Sequence, residues 1–282
     1  MRRRRFPLQP VHLLALLALF AMLVVAGACS SGDSGTDQAA DATTAAPAVP
    51  TSLNVTSTDY AYALDSEEVA AGLVTVNQDN QGEENHQVTL IRLEDGQTSA
   101  DVADGLEDRG DTYVAAAHYA GGPNNTVAGD TGSATVSLME GSYALICFIP
   151  AQDGESHFAK GMVAQLEVVP AAGEAAAPEP PVADETVTMS DFAYDYPTDF
   201  AGEGTVEVVN DGGQAHEWTV NDADNLHGSG LSAIAPGAVG YVPMDLPDGD
   251  YTFNCFLTDP ATGTPHIALG MTAAVTLPGA GG

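Results

Sequence analysis

The stretch GSYALICFIPAQDGESHFAKGM (residues 141–162) decides how this chain is read, because GDYTFNCFLTDPATGTPHIALGM (residues 249–271) repeats it. Both copies run Gly-x-Tyr-x-x-x-Cys-Phe, cross a polar turn to a His, and reach Gly-Met with the Met five residues after that His. Nine residues separate Cys147 from His157, and ten separate Cys255 from His266. Thiolate and thioether are soft donors, and one Cys with two His in a trigonal set plus a distant Met suits copper. The second imidazole is available upstream in both copies. NQGEENHQV places His86 six residues after Asn80, and NDGGQAHEW places His216 six residues after Asn210. The candidate ligands are therefore His86, Cys147, His157 and Met162 in the first half, and His216, Cys255, His266 and Met271 in the second.

The repetition extends outward from these loops. TDYAY (58–62) matches SDFAY (190–194), and GLVTVNQDN (72–80) matches GTVEVVNDG (204–212), each an alternating run that ends in the Asn turn. HQVTLIRL and HEWTVND continue the alternation after the upstream His, and MVAQLEVV and MTAAVTL close the two halves. Short alternating strands with Gly and Asn turns at this spacing predict a β-sandwich in each half. Between the first His and the Cys strand, residues 93–125 carry helical periodicity at Val102, Leu106 and Tyr113, which predicts a short helical insertion in the first half.

The Gly-x-Tyr-x-x-x-Cys strand, the Gly-Met pair and the Asn turn bearing the first His resemble the cupredoxins, the family of plastocyanin, azurin and the blue-copper domains of copper nitrite reductase. The Cys-to-His loop is longer than in plastocyanin or azurin and is closer to the nitrite reductase type. The resemblance spans both halves. It implies an all-β chain of two tandem Greek-key β-sandwich cupredoxin-like domains, each holding one mononuclear type 1 copper with the Met as a weak axial ligand. Asn80 and Asn210 are candidates for bracing the loops that carry His86 and His216. Asn in a turn is equally turn chemistry.

The chain opens MRRRRFPLQPVHLLALLALFAMLVVAGACSS: four arginines, an apolar run over residues 11–25, and small residues before Cys29. This is an export signal, and Ala26-Gly27-Ala28-Cys29 resembles a bacterial lipobox. It implies cleavage before Cys29, lipidation of that thiol, and an extracytoplasmic protein anchored to the cell membrane by lipid. An uncleaved transmembrane anchor is the alternative. The organisation expected is a signal peptide (1–28), a small polar tether (29–50), a first domain (51–169), a Pro/Ala/Glu-rich linker (170–184) and a second domain (185–278).

Past the signal only Arg92, Arg109 and Lys160 are basic, against 39 acidic residues, a formal charge of −36. Such a surface excludes nucleic acid and would attract cations and basic protein partners, a redox partner protein among them; solubility outside the cell is the plainer reading. Cys147 and Cys255 fall one per half, and thiols outside the cytoplasm are a liability unless buried or metal-bound. No His flanks either Cys, and only His118 and His227 remain of the six histidines past the signal. These are too few imidazoles for a catalytic copper cluster, so the expectation is a protein that is not an enzyme. Three readings stay open: an electron carrier, a copper-binding protein for storage or delivery, and a metal-free β-sandwich acting as an interaction module.

Overall fold

In the computed structural model, residues 51–171 and 178–278 are described. The expected signal peptide, Cys29, the expected tether and the middle of the expected linker lie outside the described residues. The first half builds β1 (Ser52–Thr58), β2 (Ala61–Leu64), β3 (Glu68–Ala70), β4 (Gly72–Asn80), β5 (Thr89–Arg92), α1 (Ser99–Arg109), β6 (Thr131–Leu138), β7 (Gly141–Ile146) and β8 (Val163–Val169). The second builds β9 (Glu185–Ser190), β10 (Ala193–Asp195), β11 (Glu203–Asn210), β12 (His216–Asp222), β13 (Gly228–Ile234), β14 (Val239–Asp245) and β15 (Gly249–Asn254). The short pair β16 (Thr258–Asp259) and β17 (Thr264–Pro265) crosses the second Cys-to-His loop, and β18 (Thr272–Leu277) ends the half.

Each half is a Greek-key β-sandwich of the cupredoxin type. One layer runs β2-β1-β4-β6 and the other β3-β8-β7-β5; in the second half the layers run β10-β9-β11-β14 and β13-β12-β15-β18. The alternation read from sequence is the reason: β1 buries Leu53, Val55 and Ser57, β4 buries Val74, Val76 and Gln78, and β11 buries Val206 and Val208. Helix α1 is capped by Thr98, whose side chain accepts from the Asp101 N–H while Asp101 accepts in return, and it buries Val102 and Leu106. Tyr113 falls outside the helix. Gly110, at φ 68°, ends α1, and Tyr113 closes a separate short 3₁₀ turn with the Arg109 guanidinium 4.1 Å from its ring.

The two halves share a sheet. Strand β6 pairs antiparallel with β14 through Val136↔Gly240 and Thr135↔Tyr241, giving one continuous order β10-β9-β11-β14-β6-β4-β1-β2. Residues 119–126 form a strap clasped from both sides. On one side the N–H groups of Leu90, Val88 and His86 donate to Gly121 O, Pro123 O and Thr126 O at 2.8, 2.9 and 3.0 Å. On the other, Gly121 N–H donates to Ala233 O and Ser232 N–H to Gly122 O, both at 2.8 Å. Asn124 and Asn125 add side-chain bonds to Thr219 Oγ1 and Val220 O, at 2.8 and 3.0 Å.

Candidate metal centres

Cys147 follows directly on β7 and Cys255 on β15, so each Cys is delivered by an interior strand of its four-stranded layer. The chain then loops out and returns to the His. The Met backbone N–H closes this return, Met162 to His157 O and Met271 to His266 O, both at 2.9 Å. His86 and His216 arrive from the loop after the Asn turn. All eight candidate side chains are buried, none more than 1% exposed.

The structure brings His86, Cys147 and His157 together, and likewise His216, Cys255 and His266, with the ligand atoms of each group within 4.8 Å of one another. In the first group, His86 Nδ1 lies 3.0 Å from His157 Nδ1, and Cys147 Sγ lies 3.4 Å from His157 Nδ1. In the second group the same spacings are 3.1 and 3.3 Å.

The far sides of the rings decide what these nitrogens present. His86 Nε2 faces Asp59 Oδ1 at 3.3 Å, and His157 Nε2 faces Glu84 Oε2 at 2.8 Å. An ionised carboxylate only accepts, so each Nε2 carries the proton and each Nδ1 turns a lone pair inward. Two inward lone pairs 3.0 Å apart, with a sulfur beside them, leave one thiol proton to serve both rings. A soft cation between the three donors satisfies all of them, and the Cys-His-His chemistry suits copper. In the second group His216 Nε2 faces Asp191 Oδ1 at 3.0 Å, whereas His266 Nε2 is buried with no hydrogen-bond partner.

Burial dominates the titration of these groups. It pushes the Cys147 thiol up to about 12 and the Cys255 thiol well above its ordinary value. It also lowers all four histidines, helped at His86 and His266 by the charge of the facing imidazole. Without metal the pockets hold neutral rings and protonated thiols, so metal uptake must displace the thiol protons.

Asn80 spans the loop leading to His86: its Nδ2 donates to Glu84 O and Thr126 O, both at 2.9 Å, and its Oδ1 accepts from Gly82 N–H at 3.0 Å. Asn210 repeats the pattern with Gln214 O, Ile234 O and Gly212 N–H at 2.9, 2.9 and 3.0 Å. The sequence reading did not include Asp59 and Asp191, although both stand in the TDYAY/SDFAY repeat. The next residue in each copy, Tyr60 or Phe192, holds φ at 67° or 66° and packs its ring on His157 or His266 at 5.1 or 5.0 Å. Non-glycine residues in this region are strained and cluster at functional sites. His118 and His227 join neither group; His227 Nδ1 pairs with Asp222 Oδ2 at 2.8 Å. Phe256, beside Cys255, is 52% exposed, and with Phe148 it lines a cleft of about 1110 Å³ whose other walls include Glu83, Glu84, Glu107 and Asp111.

No family model matches the chain, and no curated protein matches it. Similar solved structures include a dithionite-reduced auracyanin from Roseiflexus castenholzii, 20% identical, covering 43% of this chain and 99% of its own, with a TM-score of 0.31. A multicopper oxidase is 12% identical over 80% of this chain and 88% of its own, TM-score 0.26. A copper-containing nitrite reductase from Thermus scotoductus SA-01 is 13% identical over 80% of this chain and 61% of its own, TM-score 0.25. At these TM-scores the likeness assigns no activity to this chain. The presence of copper enzymes among these structures nonetheless overturns the expectation that the chain is not an enzyme. That expectation counted imidazoles within one chain. One scaffold can host both electron transfer and catalysis, and a centre completed by a second chain escapes such a count.

Proposed function

We propose that this chain is an extracytoplasmic copper protein that carries single electrons, with one type 1 copper held in each half. His86, Cys147 and His157 with Met162 would hold the first ion, and His216, Cys255 and His266 with Met271 the second. Bound copper would supply a one-electron Cu(II)/Cu(I) couple. The protein supplies the rest: buried ligands, a loop braced by Asn80 or Asn210, and an upstream imidazole fixed by Asp59 or Asp191. The observation that carries this reading is a pair of buried ring Nδ1 atoms 3.0 or 3.1 Å apart beside a cysteine sulfur, present twice.

Lipidation at Cys29 would place the protein on the outer face of the cell membrane, with residues 29–50 as tether and residues 170–184 linking domains 51–169 and 185–278. The acidic cleft between Phe148 and Phe256 fits a redox partner with a basic face. The test is the visible spectrum of the chain reconstituted with Cu(II), alongside Cys147→Ser and Cys255→Ser. An intense thiolate-to-copper band, about halved in each variant, supports the reading. A colourless, folded protein rejects it in favour of an interaction module, and rapid loss of copper to a weak chelator rejects it in favour of delivery.

A further inference from the structure

The ring nitrogens of the candidate imidazoles differ between the two centres in one hydrogen bond to a carboxylate. In the first, His157 Nε2–H donates to Glu84 Oε2 at 2.8 Å, from a fully buried ring to a carboxylate 18% exposed. Glu84 stands four residues after Asn80, and the residue four after Asn210 is Gln214. There the equivalent bond is missing: His266 Nε2 and Gln214 Oε1 are both buried without a hydrogen-bond partner. The Asp59–His86 and Asp191–His216 bonds occur in both centres and do not separate them. The second centre does have nearby carboxyls, Glu217 where the first half has Gln87 and Asp111 reaching over from the first half, but these accept from the Phe256 and Thr258 backbone N–H groups at 2.9 and 2.6 Å rather than from a ligand ring.

A carboxylate accepting from a metal-bound imidazole makes that ring a stronger donor, and it adds negative charge close to the ion in a poorly screened site. Both effects favour Cu(II) over Cu(I). We propose that Glu84 sets the first centre at a lower reduction potential than the second, so that exchange of an electron between the two is downhill from the first half to the second. The exchange would balance within the molecule: the first ion would go from Cu(I) to Cu(II) as the second goes from Cu(II) to Cu(I), with no proton or further reactant. The inference rests on the copper reading above. Glu84 acts through His157 and is a positioning residue.

The experiment is spectroelectrochemical titration of the copper-loaded full chain as Cys255→Ser, which keeps the first centre, and as Cys147→Ser, which keeps the second. Both are run in a Glu217→Gln background as well. The first centre is expected to lie lower by at least tenfold in the one-electron equilibrium, about 59 mV. Glu84→Gln should raise the first centre toward the second, and Gln214→Glu should lower the second. Equal or reversed potentials in the Glu217→Gln background, or a first centre unmoved by Glu84→Gln, overturn the inference alone. A chain that takes up no copper overturns it together with the copper reading. NMR of the metal-free protein gives a readout free of copper: a slowly exchanging Nε2–H on His157 that Glu84→Ala abolishes. A His157 Nε2–H that exchanges rapidly in the unmodified chain also overturns the inference.

Discussion

Phe200, Trp218 and Phe253 meet edge to face in the core of the second half, with ring centroids 5.2, 5.4 and 6.1 Å apart. Such rings combine large apolar burial with favourable geometry. Phe253→Ala should cost about 3–5 kcal/mol, read as a shift in the denaturant midpoint with Trp218 fluorescence as the probe. Glu185 presents the opposite case. Its Oε1 accepts from Ala201 N–H at 3.0 Å, but its buried Oε2 has no hydrogen-bond partner. Burial, joined by the charges of Asp199, Asp184 and Glu203, raises its pKa. A carboxyl raised in the folded state binds its proton more tightly there than in the unfolded chain. Its contribution is therefore fully present at acid pH and lost as pH rises from the ordinary value, about 4.3, through the folded one. Glu185→Gln keeps the acceptor for Ala201 and removes the charge, so it should raise the Tm at pH 7 and leave it unchanged near pH 4 (thermal scans at both). At this scale the sequence is legible in proportion to rarity. Cys, His and Met recur at matched spacing and stand out, whereas Asp59, Asp191 and Glu84 are three acidic residues among 39. Their role depends on which ring nitrogen they reach.

Elements show the same contrast. Strand β4 and helix α1 are readable because each carries its own period, two residues in one and a capped 3.6-residue stripe in the other. The strap at residues 119–126 has no period. Its Gly-Gly-Pro-Asn-Asn core looks like an ordinary loop, because its hydrogen-bond partners, Ser232 and Ala233, lie more than 100 residues away in sequence. Gly122 shows how tightly it is clasped: its φ is 129°, and an added Cβ would meet Val88 O at 2.2 Å. Gly129 has φ 80° with nothing within 4 Å of an added Cβ. Gly129→Ala should therefore cost about 1 kcal/mol, the penalty of the backbone conformation alone. Gly122→Ala should cost clearly more, because the strap and the Val88 backbone must also separate, and amide exchange should speed up at Val88 and at Ser232 together. Faster exchange at only one of them would mean that the strap does not couple the halves.

For the whole molecule, charge and connectivity set the behaviour. Of the three basic residues after residue 29, Lys160 is already committed to Asp153 and Glu155 at 2.6 and 3.2 Å, so the acidic excess has little internal compensation. Self-repulsion of this kind destabilises the compact state, and salt relieves it as the screening length falls from about 30 Å at 0.01 M to about 3 Å at 1 M. The Tm should rise with sodium chloride over that range; a flat or falling response would show that the acidic surface carries no such strain. The net charge was legible from composition alone. The shared sheet was not, because nothing in the sequence of β6 or β14 marks it as pairing outside its own half. Their pairing should make unfolding a single transition, with Trp218 fluorescence and amide exchange in β4 reporting one midpoint. The pairing also has a symmetry. Strands β6 and β14 hold the same place in their respective layers and run antiparallel, so the halves are joined about an approximate two-fold axis, as identical subunits are in an isologous dimer. Either half made alone would present that strand as a bare edge. A second copy of the same half could satisfy it without any change of sequence.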